Sequence, residues 1–333
     1  ANVEFLNIGG NILDMTLPVH VYDTNDSLVG TYATLQLAHD AASTDVGFRI
    51  NLFGLVTDQS LTITKDNLKI EGQAEDTGNT FTLGGGVNDL TLLGEAPFDV
   101  IGNNSANIIT GNAGANTIRG NGGNDVLDGG EGSDTYQVSG TGHGFDTIDD
   151  SGSVGTDTII ALSDNTDIGI LGNFSLTGNS IEEISANGKS NVEIVGDNGI
   201  NIWDFTDIKL TGDLTTNLTG DIRVTTGGGA DIVTASNLND TVIRAGVGND
   251  TLYGSITDTT YQVAGSNEGY DSYNGGSGTD TIIALSDNTN IGLAGDFGPL
   301  NSIEEISANG SSNIDIIGDN SSNSLDFSGV TLT

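Results

Sequence analysis

Residues 102–137 constrain the chain more than any other stretch. They divide without gaps into four nine-residue units: GNNSANIIT from Gly102, GNAGANTIR from Gly111, GNGGNDVLD from Gly120 and GGEGSDTYQ from Gly129. Each unit opens with glycine and carries Asn or Asp at its sixth place (Asn107, Asn116, Asp125, Asp134). A fixed period of this kind belongs to a stack of identical turns, because one unit cannot bury an apolar face alone. The first six residues of each unit read as a turn and the last three as a short strand. The eighth residue (Ile109, Ile118, Leu127, Tyr136) is expected to point inward and stack on its counterpart in the next coil.

The same spacing predicts an ion. Glycine lets the backbone approach closely where a Cβ would block it, so turn carbonyls can face a cation and the sixth-place Asp can add a carboxylate oxygen. Ca²⁺ takes about 6–8 hard oxygen ligands, more than one turn supplies, so stacked turns share ions. Where Asn replaces Asp (Asn107, Asn116, Asn191, Asn201, Asn313, Asn323), amide ladders along the stack are expected instead of metal. The competing reading of each Asp is a plain Asx-turn.

The motif resembles that of RTX, or haemolysin-type calcium-binding, proteins, from about Gly84 to the C-terminus. That resemblance implies secretion, usually by type I export, and folding on contact with extracellular calcium at about 10⁻⁴–10⁻³ M. It also implies a C-terminal export signal, whereas SLDFSGVTLT reads as mid-repeat, so the chain is expected to be a fragment or to dock its end on another element. The metal ligands expected are Asp125, Asp134, Asp231, Asp240 and Asp250, then Asp157 and Asp280, then Asp89, Asp146 and Asp271, holding several Ca²⁺ ions. Asp89 enters through GGGVNDLTL (Gly84 to Leu92), read as a nonapeptide with Asp89 sixth.

Composition sets limits around this reading. The 333 residues carry 46 Asp plus Glu against 8 Lys plus Arg, a formal charge of -38. Such a charge excludes nucleic acid and anionic lipid as partners. It does not make the chain disordered, because the acids recur at fixed places between Ile, Val and Leu. Cysteine is absent, so ions rather than disulfides are the expected staples. No run of 18 apolar residues predicts a membrane helix; no signal peptide is read at the start, so either one has been removed or export of another type is expected.

Before the repeats, Val3 to Ile8 and Leu17 to Tyr22 read as strands. Tyr32 to Ala42 reads as the one convincing helix, with Leu35, Ala38 and Ala42 on one face and Thr31 as its cap. A ladder of short strands follows, from Ile50 to Leu92. Helix and ladder resemble the opening of right-handed parallel β-helix proteins of the pectin-lyase-like group, in which a helix covers the first coil. After the repeats the sequence duplicates itself. TYQV recurs at Thr135 and Thr260, GTDTIIALSDNT at Gly155 and Gly278, and SIEEISANG at Ser180 and Ser302.

The expected fold is therefore all-β, a right-handed parallel β-helix or calcium β-roll with one short N-terminal capping helix. Four segments follow: 1–30 (strands), 31–94 (start of the helix), 95–210 and 211–333 (two RTX-type β-roll repeats). They are read as one continuous rod with a break in register near Ile208 to Val224.

Enzymatic chemistry finds little footing. His20 and His143 read as surface or turn residues, His39 as part of the cap helix, and Arg49, Lys65 and Lys69 as solvated charges. The pairs Glu182-Glu183 and Glu304-Glu305 are expected to face water beside a strand. Trp203, Tyr261 and Tyr270 could stack on sugars, with packing the expected role. The leading expectation is a non-enzymatic, secreted structural protein of a cell-surface layer, matrix or filament. Leu325, Phe327, Val330 and Leu332 near the end predict head-to-tail self-association, with residues 3–8 and 17–22 covering that end on a neighbour. The alternative is a carbohydrate-binding or export module of a larger secreted polysaccharide lyase or epimerase. Extracellular polysaccharide is thus a second candidate partner; membrane insertion is not expected.

Overall fold

A computed structural model of the chain describes residues 5–8, 11–14, 19–23, 25–42, 48–52, 56–212 and 223–333. Val3, Glu4, Leu17 and Pro18 of the expected N-terminal strands, and 213–222 within the expected register break, lie outside the described residues. The Cα packing divides the chain into two units, Ala1–Gln137 with Ile148–Thr158, and Val138–Thr147 with Ile159–Thr333. Each is a parallel β-solenoid with very little helix, and among the described residues no helix is long and apolar enough to cross a membrane.

In the first unit two parallel sheets face each other. One contains Arg49–Leu52, Leu68–Gly72, Asp89–Gly94, Ile108–Asn112 and Val126–Gly130. The other contains Ser60–Ile63, Thr80–Leu83, Asp99–Ile101, Thr117–Arg119 and Thr135–Val138. Two nonapeptides make one coil, since Ile108 pairs with Val126 and Thr117 with Thr135. Strand side chains alternate in direction, so the eighth-place residues all turn inward. Ile109, Ile118, Leu127 and Tyr136 are buried, as the repeat predicted. Leu61, Phe81, Val100, Ile118 and Tyr136 form one such row, with the Phe81 and Phe98 rings edge to face. The seventh-place residues face out, and Ile108 and Val126 are about half exposed.

The unit opens differently from a pure parallel stack. Val19–Tyr22 pairs antiparallel with both Leu28–Tyr32 and Arg49–Leu52. The helix runs Leu35–Ala41, and Leu35, Ala38 and Ala42 are buried as expected. Its cap is Thr34 rather than Thr31, because Thr31 is held in the strand opposite His20. The Lys65 ammonium donates to the carbonyls of His39 and Ala42 at the helix end, and His39 Nε2 accepts from the Thr64 N–H at 3.1 Å. Arg49 pairs with Glu71 and Asp26 and lies over the Tyr22 ring. Lys65 and Arg49 are therefore tied down rather than simply solvated. His20 is buried in its strand, not at the surface. His143 lies in an irregular connection and is half-buried.

The second unit has longer coils. One parallel sheet runs through Asp167–Ile170, Glu193–Gly196, Arg223–Thr225, Thr241–Arg244, Thr259–Val263, Thr281–Ala284, Glu305–Ser307 and Thr331–Leu332. A second runs through Phe174–Ser175, Ile202–Asp204, Ile232–Thr234, Thr251–Tyr253 and Ser272–Asn274. Trp203 is buried beside Phe205, and its Nε1–H donates to the Gly172 carbonyl at 2.8 Å. Tyr261 and Tyr273 pack edge to face in the core, while Tyr270 is half-buried. The duplicated segments keep their elements: TIIA is a strand at Thr158–Ala161 and Thr281–Ala284, and a single helical turn precedes both IEEIS copies.

Candidate metal centre

The sixth-place residues form rows along the coil edges. In each row the carboxylate of one coil accepts from the backbone N–H of the sixth-place residue in the coil before it. Asp125 Oδ1 accepts from Asn107 at 2.7 Å, Asp134 Oδ1 from Asn116 at 2.6 Å, and Asp157 Oδ1 from Asp134 at 2.7 Å. In the second unit the Asn201 N–H donates to Asp231, Asp231 to Asp250 and Asp250 to Asp271, at 2.8, 2.8 and 3.0 Å. A further row runs from Thr259 to Asp280 at 2.7 Å and from Asp280 to Glu304 Oε2 at 2.8 Å. Glu304 thus joins a row instead of only facing water, and Glu183 pairs with Lys209 at 3.2 Å.

Asn and Asp behave differently in the same cradle. Asn116 Oδ1 accepts from the Asn112 N–H at 2.9 Å, and its amide group donates to the Phe98 carbonyl at 3.3 Å. Asn107 donates to the Val87 carbonyl at 3.0 Å, and Asn323 to Gly295 at 2.9 Å. Asn191 and Asn313 donate to Asn165 and Asn288, whereas Asn107, Asn116, Asn201 and Asn323 reach backbone carbonyls, so the expected amide-to-amide bonds form at two of the six positions. An Asp has no N–H to offer those carbonyls. Accordingly Asp134, Asp231, Asp250 and Asp280 each keep a buried Oδ2 with no hydrogen-bond partner among the described residues. A buried, unpaired carboxylate oxygen is costly unless a cation meets it.

The glycines complete the cradle. A Cβ on Gly111 would stand 2.0 Å from the Gly129 carbonyl oxygen and 2.6 Å from Asn116 Oδ1. One on Gly129 would stand 2.5 Å from Asp134 Oδ2, and one on Gly248 would stand 1.7 Å from the Gly229 oxygen. Around these three glycines the nearest polar atoms are carbonyl, amide and carboxylate oxygens, which suits a hard cation such as Ca²⁺. Without one, burial pushes Asp134, Asp250 and Asp271 up to about 7 and Asp280 up to about 6. Asp150 and Asp157 add to the rise at Asp134, and Asp231 adds to that at Asp250.

Not every expected ligand lands in a row. Asp125, Asp134, Asp157, Asp231, Asp250, Asp271 and Asp280 do, and Asp146 is also buried. Asp89 does not, because it pairs with Ile108, a seventh-place residue, which puts Asn88 sixth. The reading frame GGGVNDLTL is one residue off, and Leu90 rather than Thr91 turns inward. Asp89 is half-buried, and burial beside Asp66 raises its carboxyl. Asp240 is displaced likewise. Val242 pairs with Thr260 and Thr260 with Thr281, so Thr241 takes the sixth place and Asp240 is exposed. Asp150 was missed: it is buried outside the sixth place, and one ligand oxygen each from Asp134, Asp150 and Asp157 lie within 4.8 Å of one another.

Compared with known protein families, residues 101–136 and 239–258 match the RTX calcium-binding nonapeptide repeat, in four copies. These stretches are RTX calcium-binding repeats. No curated protein and no solved structure matches the chain. Asp157, Asp231, Asp271 and Asp280 lie outside the matched RTX stretches, yet they share the row geometry of Asp125 and Asp134. The RTX stretch at 239–258 contains both Asp240, which slips out of its row, and Asp250, which does not.

Proposed function

We propose that the protein is a secreted, non-enzymatic structural element of a cell-surface layer, matrix or filament, folded and stiffened by several Ca²⁺ ions. The observation that carries this reading is the set of buried, partnerless Asp oxygens beside backbone carbonyls, repeated coil after coil. Ca²⁺ bound to the native state and not to the unfolded chain stabilises it by mass action. In a calcium-poor cytosol the carboxylates repel and the chain stays loose; outside the cell the ions draw it into a stack. The RTX repeats support type I secretion, and a charge of -38 favours solubility during export. Self-association into a layer or filament is supported by exposed apolar side chains that neighbour each other on outward strand faces, Ile108 beside Val126 and Ile202 beside Ile232. A non-enzymatic role is supported by the structural duties of His39, Lys65 and Arg49. The pectin-lyase-like likeness of the N-terminal helix and ladder belongs to this reading as a folding module.

Circular dichroism with and without chelator tests the calcium part. The β signal and the melting temperature are expected to fall on chelation and to return with added Ca²⁺. An unchanged spectrum sinks it. Electron microscopy and sedimentation in millimolar Ca²⁺ test the assembly part, where a monomer at every concentration is the negative result. Turnover of alginate or pectin by this chain would overturn the non-enzymatic assignment.

A further inference from the structure

We propose that Asp134, Asp150 and Asp157 form a three-carboxylate Ca²⁺ site, different in donor set from the nonapeptide turns and the tightest site in the chain. The proposal rests on the calcium reading above and adds Asp150 to it.

Asp150 does not follow the repeat. The Asp149 N–H donates to the Leu127 carbonyl at 3.0 Å, which sets Asp150 beside Gly129, the opening glycine of the preceding coil. A carboxylate thus stands one coil on from a place the repeat keeps for glycine. It is built in on both sides. Asp150 Oδ1 accepts from the Gly152 N–H at 2.9 Å, and Oδ2 accepts from the Tyr136 O–H at 2.8 Å. The Tyr136 oxygen in turn accepts from the Gly129 N–H at 2.6 Å. An inward core tyrosine therefore fixes the third carboxylate.

Three acidic groups in proximity are not yet a site; the second observation concerns Asp134. That residue is 1% exposed, its Oδ1 is committed to the Asn116 N–H, and its Oδ2 is buried with no hydrogen-bond partner. Asp157 is held against it through the Asp134 N–H at 2.7 Å. Ligand oxygens from all three lie within 4.8 Å of one another, a spread that a Ca²⁺ with oxygens at about 2.3–2.6 Å can bridge. Three like charges in a buried space repel unless a cation sits among them.

The duplication supplies an internal contrast. Aligned on TYQV, Asp134 corresponds to Thr259; aligned on GTDTII, Asp150 corresponds to Tyr273 and Asp157 to Asp280. The second copy keeps one of the three carboxylates. Calcium affinity is tuned by the charge count and rigidity of the ligand set, so the first copy is expected to fill first.

The test is calorimetric Ca²⁺ titration of the full chain, stripped with chelator, as wild type and as Asp150→Asn. The amide keeps the size of the side chain and can still accept from Tyr136. The wild type is expected to show one ion bound more tightly than the rest, and D150N to weaken that class by about tenfold or more while leaving the others. A D150N isotherm identical to wild type overturns the three-carboxylate site and leaves the calcium reading standing. A wild type that takes up no Ca²⁺ removes both. Should D150N fail to fold, Tyr136→Phe with Tb³⁺ as probe decides. Tb³⁺ is expected to bind more weakly at one site and with reduced tyrosine-sensitised emission, since Tyr136 fixes Asp150 and its hydroxyl touches the site; wild-type affinity or equal emission overturns it.

Discussion

Asn116 and Asp134 occupy the same place in successive coils, and the Asn116 N–H donates to Asp134 Oδ1 at 2.6 Å. The cradle is shared, but its electrostatics are opposite. The Asn116 amide reaches the Phe98 carbonyl, whereas Asp134 leaves Oδ2 buried with no partner. One coil is closed by hydrogen bonds, and the next presents a buried oxygen suited to a cation.

Exchanging the two residue types should exchange the two behaviours. Asp134→Asn is expected to stabilise the chelator-treated protein by about 1–2 kcal/mol, because an unsatisfied buried oxygen gives way to an amide donor. The same change should lower the number of Ca²⁺ ions bound. Asn116→Asp should do the reverse, costing about 1–3 kcal/mol without metal and recovering most of it with Ca²⁺. Urea unfolding of each variant with and without chelator measures both. Equal shifts in the two conditions would show that the rows do not bind metal.

The opening glycines are predicted to be irreplaceable for reasons of space. A Cβ on Gly111 would meet the Gly129 oxygen at 2.0 Å and Asn116 Oδ1 at 2.6 Å. Both are held by the coil stack, so neither can step aside. Gly111→Ala should cost about 1–3 kcal/mol or more by overpacking. Gly142→Ala is the control: a Cβ there meets nothing, and its cost comes only from a φ of +75°. A larger loss at Gly142 than at Gly111 would contradict the cradle.

Inward and outward strand residues should differ sharply. Ile118 is fully buried between Val100 and Tyr136, while Ile108 is 50% exposed. Ile118→Ala is expected to cost about 2–5 kcal/mol, and Ile108→Thr within about 0.5 kcal/mol, as for a surface change. Thermal unfolding in saturating Ca²⁺ reads this difference without interference from metal loss.

Much of this architecture was legible because two periods agree. The nine-residue repeat fixes the turn, and the strand period of two within it fixes which side chain is buried, so Ile109, Ile118, Leu127 and Tyr136 could be placed inward from sequence. Legibility fails where the frame slips by one residue. GGGVNDLTL matches the glycine pattern, but burial of Leu90 outweighs the pattern and turns Asp89 out of its row. At Asp240 the buried neighbour is Thr241, whose β-branched side chain fits the strand edge and reads as no motif at all. Asp150 was illegible for another reason: it is made a neighbour of Asp134 by the coil length between them, which no local motif records. The antiparallel start at Val19–Tyr22 is likewise a matter of pairing rather than of pattern.

The last prediction concerns pH, and its sign depends on calcium. Without metal, Asp134, Asp250 and Asp271 titrate near 7 and Asp280 near 6, raised by burial above an unfolded value of about 3.9. Between those limits the native state holds more protons than the unfolded one, so stability falls as pH rises. The contribution is complete below about pH 4 and is lost as pH passes about 7. Asp66, Asp164, Asp287 and Asp326 are shifted downward by backbone hydrogen bonds, with burial working against that shift at Asp66. Their stabilising contribution fades only below about pH 4, so the chelated protein should be most stable near pH 4. Bound Ca²⁺ favours the ionised carboxylates and must compete with protons, so with metal the slope reverses and stability rises from pH 5 to pH 8. Melting temperatures across that range, with chelator and with millimolar Ca²⁺, should give slopes of opposite sign. Asp250→Asn should flatten both, since it removes one of the titrating groups. Two slopes of the same sign would mean that protons and calcium do not contend for these oxygens.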